Sequence, residues 1–125
     1  MSKPIIINAP LAVVAVTAKQ WLKADGSGAV TVNDTAGSEI GVAESSADNS
    51  ATPNVLLKNE NIGMIKQGLI KLNAVAATYN VGDLVELATG GQNLQAYSSG
   101  AIVGSVCETK VLAATGELLV YINLA

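Results

Sequence analysis

The sequence predicts an all-β fold: a compact β-barrel or sandwich of two similar halves, with an extended N-terminal arm. Three observations predict it. Apolar residues make up 50% of the 125 residues, mostly Ala and Val, with no Phe and only Trp21, Tyr79, Tyr97 and Tyr121 as aromatics. Small and β-branched side chains pack thin layers of strands better than they fill wide cavities. Short apolar runs alternate with turn-forming stretches, as in many-stranded barrels and sandwiches. The chain also resembles itself at an offset of 63 residues without gaps. Ile7 then faces Ile70, Gly28 faces Gly91, Gly37 faces Gly100 and Gly41 faces Gly104, while Leu56 faces Leu119. Matches on glycines and apolar strand positions are where a shared backbone leaves its mark. Residues 1–125 therefore read as one domain with an internal duplication, about 1–62 and 64–125.

Each half contains the same succession of elements. An apolar run comes first, Ile5–Ile7 or Leu69–Leu72. A strand follows near Gln20–Ala24 or Asp83–Leu87. The turn residues Asp25-Gly26-Ser27-Gly28 and Thr89-Gly90-Gly91 supply the positive φ of a hairpin. Returning strands fall at Ala29–Val32 and Asn93–Tyr97, and further strands at Ile40–Ala43 and Ile102–Cys107. The last strands are expected at Asn54–Lys58 and Glu117–Asn123. Residues 11–22 have a competing reading: Pro10 suits a first helical turn, and Leu11, Val14, Ala15, Ala18, Trp21 and Leu22 fall near one helical face. Val13, Val14, Val16 and Thr17 are stiff at χ1 and favour the extended alternative.

Charge narrows the partners. Net charge is −3, there is no Arg, and the seven Lys are dispersed. Nucleic acid and anionic membranes both demand clustered cations, so neither is an expected partner. Only 14% of residues are charged, and mean hydropathy is +0.41. A domain this small has much surface for its volume, so part of its apolar area is expected to lie against neighbours in a homo-oligomer. The start of the chain has no signal-peptide pattern, and Leu11–Val16 is too short for a membrane span. The expected site of synthesis is the cytoplasm.

No catalytic group, metal site or cofactor is expected. The chain has no His, which closes the Ser–His, Cys–His and usual zinc arrangements. Cys107 is alone and reads as a small buried hydrophobe. The carboxylate pairs Asp83/Glu86 and Glu44/Asp48 have spacings that chance supplies. Asp48-Asn49-Ser50 lacks the twelve-residue calcium-loop pattern. Gly26-Ser27-Gly28 and Gly90-Gly91 lack the following Lys and helix of a phosphate cradle. The candidate contact residues, to a capsid or a second subunit, are Pro4, Ile5, Ile6, Ile7, Pro10 and Trp21. The first five form a proline-flanked β-prone segment able to add to another chain's sheet edge, or to serve as first strand of its own barrel. Trp21 is read as core, with a partner-surface anchor as the alternative.

Several short motifs resemble the decoration or cement proteins of bacteriophage capsids. They are Val81-Gly82-Asp83-Leu84-Val85 before a strand, the Asp25-Gly26 turn, Ile40-Gly41-Val42-Ala43, and the closing Gly116-Glu117-Leu118-Leu119-Val120-Tyr121-Ile122. The first half departs at Ala18-Lys19-Gln20, in place of the Gly-Asp pair. The second half departs at Ile102-Val103-Gly104-Ser105-Val106. The resemblance implies a virion structural protein with a β-barrel body, a homotrimer on the outer capsid surface, and the major capsid protein as partner. Alternatives are a tail or fibre module of similar fold, or a carbohydrate-binding surface module.

Overall fold

The computed structural model describes residues 4–12, 14–49 and 61–124, and all its regular elements are β-strands. The first half supplies β1 (Ile5–Pro10), β2 (Ala15–Val16), β3 (Trp21–Ala24), β4 (Val30–Val32), β5 (Glu39–Ala43) and β6 (Ala47–Asp48). A long strand, β7 (Asn61–Ala74), leads into β8 (Ala77–Tyr79), β9 (Leu84–Leu87), β10 (Leu94–Ala96), β11 (Gly104–Val106), β12 (Lys110–Leu112) and β13 (Gly116–Asn123). The extended reading of 11–22 holds: β2, a turn and β3 lie where the helix would have been.

The second half closes on itself. β7 pairs with β13, β13 with β11, β11 with β9 and β9 with β10, all antiparallel. β10 then returns to β7 through a parallel pairing of Leu94 with Ala74, completing a closed five-stranded barrel. Closure matters because it leaves no backbone edge unpaired.

The first half repeats this pairing. β1 pairs with the first half of β7, β7 with β5, β5 with β3 and β3 with β4. A parallel bridge from Leu11 to Val30 sits where Ala74 meets Leu94. Registers coincide at a separation of 63: Leu22 lies opposite Gly41 as Val85 lies opposite Gly104. The side hairpins agree too, with Val16 opposite Ala47 and Tyr79 opposite Lys110. Beyond β3 and β9 the separation becomes 64, since Ala24 pairs with Val30 and Leu87 with Leu94.

The last strand corrects the gapless alignment. Asn54–Lys58, expected as that strand, lies outside the described residues. Its place beside β1 and β5 is taken by residues 61–67 of β7: Met64 lies opposite Ile7 as Val120 lies opposite Ile70, a separation of 56. Seven additional residues therefore precede the strand in the first half, and β7 serves both units. Alternation fits this placement, because Ile62 and Met64 are buried while Asn61 and Gly63 are not.

Two hydrophobic clusters result. Leu11, Val16, Leu22, Val30, Ala43, Ile62 and Met64 fill the first barrel. Their counterparts Ala74, Tyr79, Val85, Leu94, Val106, Leu118 and Val120 all belong to the cluster of the second. That second cluster also contains Trp21, Val42 and Ile65, which project from the first barrel.

The turn before each central strand is also shared, despite its sequence departure. Thr17 N–H donates to Gln20 Oε1 at 2.8 Å, and Gln20 N–H donates back to the Thr17 carbonyl at 3.1 Å. Asn80 and Asp83 make the same pair of bonds at 2.9 and 3.0 Å. Gly82 adopts φ 93° there, and Lys19 adopts φ 74° in its place. The hairpin glycines are as expected, with Gly26, Gly28, Gly90 and Gly91 all at positive φ. Asp25 fixes the first hairpin turn by accepting the N–H groups of Ser27 and Ala29, which hold its carboxyl below the usual range.

Candidate functional site

Three places carry the features of an interaction site: the junction of the two barrels, an exposed face of the second barrel, and the first strand. At the junction, Trp21 is fully buried. The core reading of Trp21 holds, and its alternative as a partner-surface anchor, with its place among the candidate contact residues, is corrected: its indole lies in one cluster with Val42, Ile65 and the second barrel's core. Large apolar area is best removed from water between two preformed units, and an indole is the largest available.

Gln92, in the turn between β9 and β10, holds the junction from the other side. Its Oε1 accepts the Trp21 backbone N–H at 2.9 Å, and its Nε2 donates to the backbone carbonyls of Trp21 and Asn33 at 3.0 and 2.7 Å. Asn33, itself buried, donates through Nδ2 to the Gly91 carbonyl at 3.0 Å. A Cβ at Gly91 would collide with that amide and with the Thr35 backbone nitrogen, so the close approach requires glycine. Sequence reasoning missed Gln92, because nothing distinguishes a clamping amide from a solvated one before its partners are known.

The equivalent face of the second barrel is bare. Leu84, Tyr97 and Ile102 are 45%, 42% and 47% exposed, and Val81 is exposed beside them. Leu84, Ile102, Gly104, Ser105, Tyr121 and Asn123 line a cleft of about 250 Å³. A second hollow continues from Leu84 past Ala96 to Tyr97.

The proline-flanked segment forms β1, so it is the first strand of the chain's own barrel, antiparallel to β7. Pro4, Ile5, Ile6, Ile7 and Pro10 are nevertheless all exposed. Among the described residues, β1 pairs with β7 on one side, and on the other the chain meets β4 only just past β1, at the Leu11–Val30 bridge. Pro10 lacks a backbone N–H and is at home on a strand laddered along one side.

Of the carboxylates flagged in the sequence, Asp83 and Glu86 serve loops. Asp83 caps the turn at Asn80. Glu86 is buried and accepts the N–H groups of Ser98, Ser99 and Gly100 at 2.8, 3.1 and 2.9 Å, and Gln95 Nε2 at 2.7 Å. These donors hold its carboxyl down at about 2, against an ordinary value of 4.5. A carboxylate so satisfied is a poor general base and a good loop organiser. Cys107 is half-buried, with Sγ 3.8 Å from the Ser105 carbonyl. Among the described residues, no group of three or more His, Cys, Asp or Glu could hold a metal ion. Among the same residues, no helix is long and apolar enough to cross a membrane.

Comparison with models of known protein families and with curated proteins returned no match.

Proposed function

We propose that this protein is a structural, non-enzymatic decoration or cement protein of a bacteriophage capsid, bound to the outer surface of the assembled major capsid protein lattice. The motif resemblance points to that class, and one structural observation carries the reading furthest. A twin-barrel body displays isoleucines on its first strand, with Ile5, Ile6 and Ile7 at 49%, 40% and 47% exposure. Isolated surface apolar residues are ordinary, but three in succession on a strand that, among the described residues, is laddered along one side only form a ready template for a partner. A lattice neighbour can dock there by strand addition, its backbone supplying hydrogen bonds and the isoleucines specificity.

A cement protein needs no chemistry. It needs a site that exists only where capsid subunits meet. Binding to the assembled shell and not to free subunits then stabilises the shell by mass action, by roughly 1–3 kcal/mol per bound molecule at ten- to hundred-fold excess over Kd. Repetition over a lattice multiplies the effect, and several attachments per oligomer add avidity.

The test compares bare and decorated expanded capsids in a thermal-release assay. The expected result is a higher release temperature for decorated particles and weak binding to unassembled capsid protein. Equal release temperatures with binding verified would remove cementing as the role. The contact is tested with Ile5→Ser/Ile7→Ser and not by deleting residues 1–10, because β1 is a barrel strand. The double variant should keep its melting temperature and bind capsids more weakly.

A further inference from the structure

We propose that the bare face of the second barrel, around Leu84, Tyr97 and Ile102, receives the first barrel of a second copy of this chain, head to tail, in the arrangement that the two barrels hold within one chain. The proposal goes beyond the capsid reading and stands or falls independently of it.

The two barrels have the same strand pairing, so their faces can be compared residue by residue. Trp21 and Asn33 lie on the first barrel where Leu84 and Tyr97 lie on the second. The backbone agrees in detail: Asn33 N–H donates to the Trp21 carbonyl at 2.8 Å, and Tyr97 N–H donates to the Leu84 carbonyl at 2.9 Å. Yet Trp21 and Asn33 are 0% and 1% exposed, whereas Leu84 and Tyr97 are 45% and 42%. One face is covered and its counterpart carries exposed apolar groups. The cover on the first is the turn between β9 and β10 of the second barrel, through Gly91 and Gln92.

The counterpart of that covering turn is Asp25–Ala29, between β3 and β4. Both turns close with the same bond, Asp25 N–H to the Ala29 carbonyl and Ala88 N–H to the Asn93 carbonyl. Counting back from the following strand, Ser27 stands for Gly91 and Gly28 for Gln92, the one extra residue of the second turn displacing the gapless pairing of Gly28 with Gly91. Residues 25–28 are exposed, and Asp25 holds their shape in advance. Each copy therefore carries one unfilled receiving face and one unused covering turn, at different ends. Such complementary but unlike surfaces make a heterologous contact, which closes into a ring when the rotation per copy permits. Gly28 cannot reproduce the Gln92 clamp, so the contact between copies is weaker than the one within a chain, and dilution should reverse it.

The experiment uses full-length protein carrying Cys107→Ala. Tyr97→Cys and Ser27→Cys, the counterparts of the touching pair Asn33 and Gly91, are made in separate chains and mixed under mild oxidation. The expected product is a disulfide between the two variants, absent from either alone. Self-linking of Tyr97→Cys would mean a face-to-face dimer and overturns the head-to-tail arrangement; absence of cross-linking overturns it as well. Light scattering over a concentration series provides a second readout. The unmodified chain should exceed one chain's mass at micromolar concentration, and Leu84→Asp should lower it to a single chain with an unchanged circular dichroism spectrum. A monomeric unmodified chain at every concentration leaves the face to a different partner and overturns the proposal, as does a Leu84→Asp oligomer of undiminished mass.

Discussion

Lys19 adopts a backbone conformation that its side chain opposes. At φ 74° its Cβ crowds the following carbonyl, a cost of roughly 1–2 kcal/mol that Gly82 avoids in the matching turn. Its ammonium bonds Glu117 at 3.0 Å, but both side chains are about half exposed, where ion pairs contribute little. Lys19→Gly should therefore stabilise the protein by roughly 0.5–1 kcal/mol once the greater freedom of glycine in the unfolded chain is counted. Lys19→Ala, which loses the pair and keeps the φ, should not stabilise it. Urea titrations of the two variants would decide the matter.

Among the elements, the loop after β10 owes its shape to one carboxylate. Ser98, Ser99 and Gly100 turn their N–H groups onto Glu86, which β9 carries at a buried position. Because the folded carboxyl titrates near 2 and the unfolded one near 4.5, the unfolded chain binds more protons between those values. The Glu86 contribution is thus complete above about pH 4.5 and disappears as the pH falls toward 2. Glu86→Gln should be less stable at neutral pH and flatter across that window, measured as melting temperature against pH. The corresponding residue of the first half is Lys23, which pairs with Asp34 at 2.7 Å, so the two halves solve the same loop with opposite charges.

At the level of the whole molecule, the two cores are fused and not merely tethered. Trp21, Val42 and Ile65 belong to the first barrel's strands but pack in the second barrel's cluster, and β7 runs through both units. Unfolding should therefore be a single cooperative transition. Trp21 is the only tryptophan, so its fluorescence reports the junction, while far-ultraviolet circular dichroism reports all the strands. The two signals should coincide in a urea titration. Trp21→Ala removes a fully buried indole and should cost about 3–5 kcal/mol. It should also split the circular dichroism transition in two if the junction is what couples the barrels.

Strand character, the hairpin turns and the 63-residue spacing were legible in the sequence, because each is written locally. Glycines mark positive φ, β-branched runs mark strands, and the same glycines stand at the same places in both halves. The displaced last strand was not legible. The seven additional residues shift it out of the gapless register, and only the pairing of Met64 with Ile7 reveals where it lies. Of the candidate contact residues, Pro4, Ile5, Ile6, Ile7 and Pro10 are exposed as a contact requires, whereas Trp21 is buried. Local sequence cannot separate these cases, since an apolar residue on a strand faces solvent or a neighbouring unit according to what lies beside it. The sequence by itself determined the class of fold, the turns and the repeat, because propensity and backbone sterics act within a few residues. Tertiary structure alone decided that β7 serves two barrels, that Gln92 clamps Trp21, and that one of two matching faces is covered while the other is bare. Those outcomes depend on contacts between residues far apart in the chain, from Ile7 and Met64 to Trp21 and Gln92, which no local preference encodes.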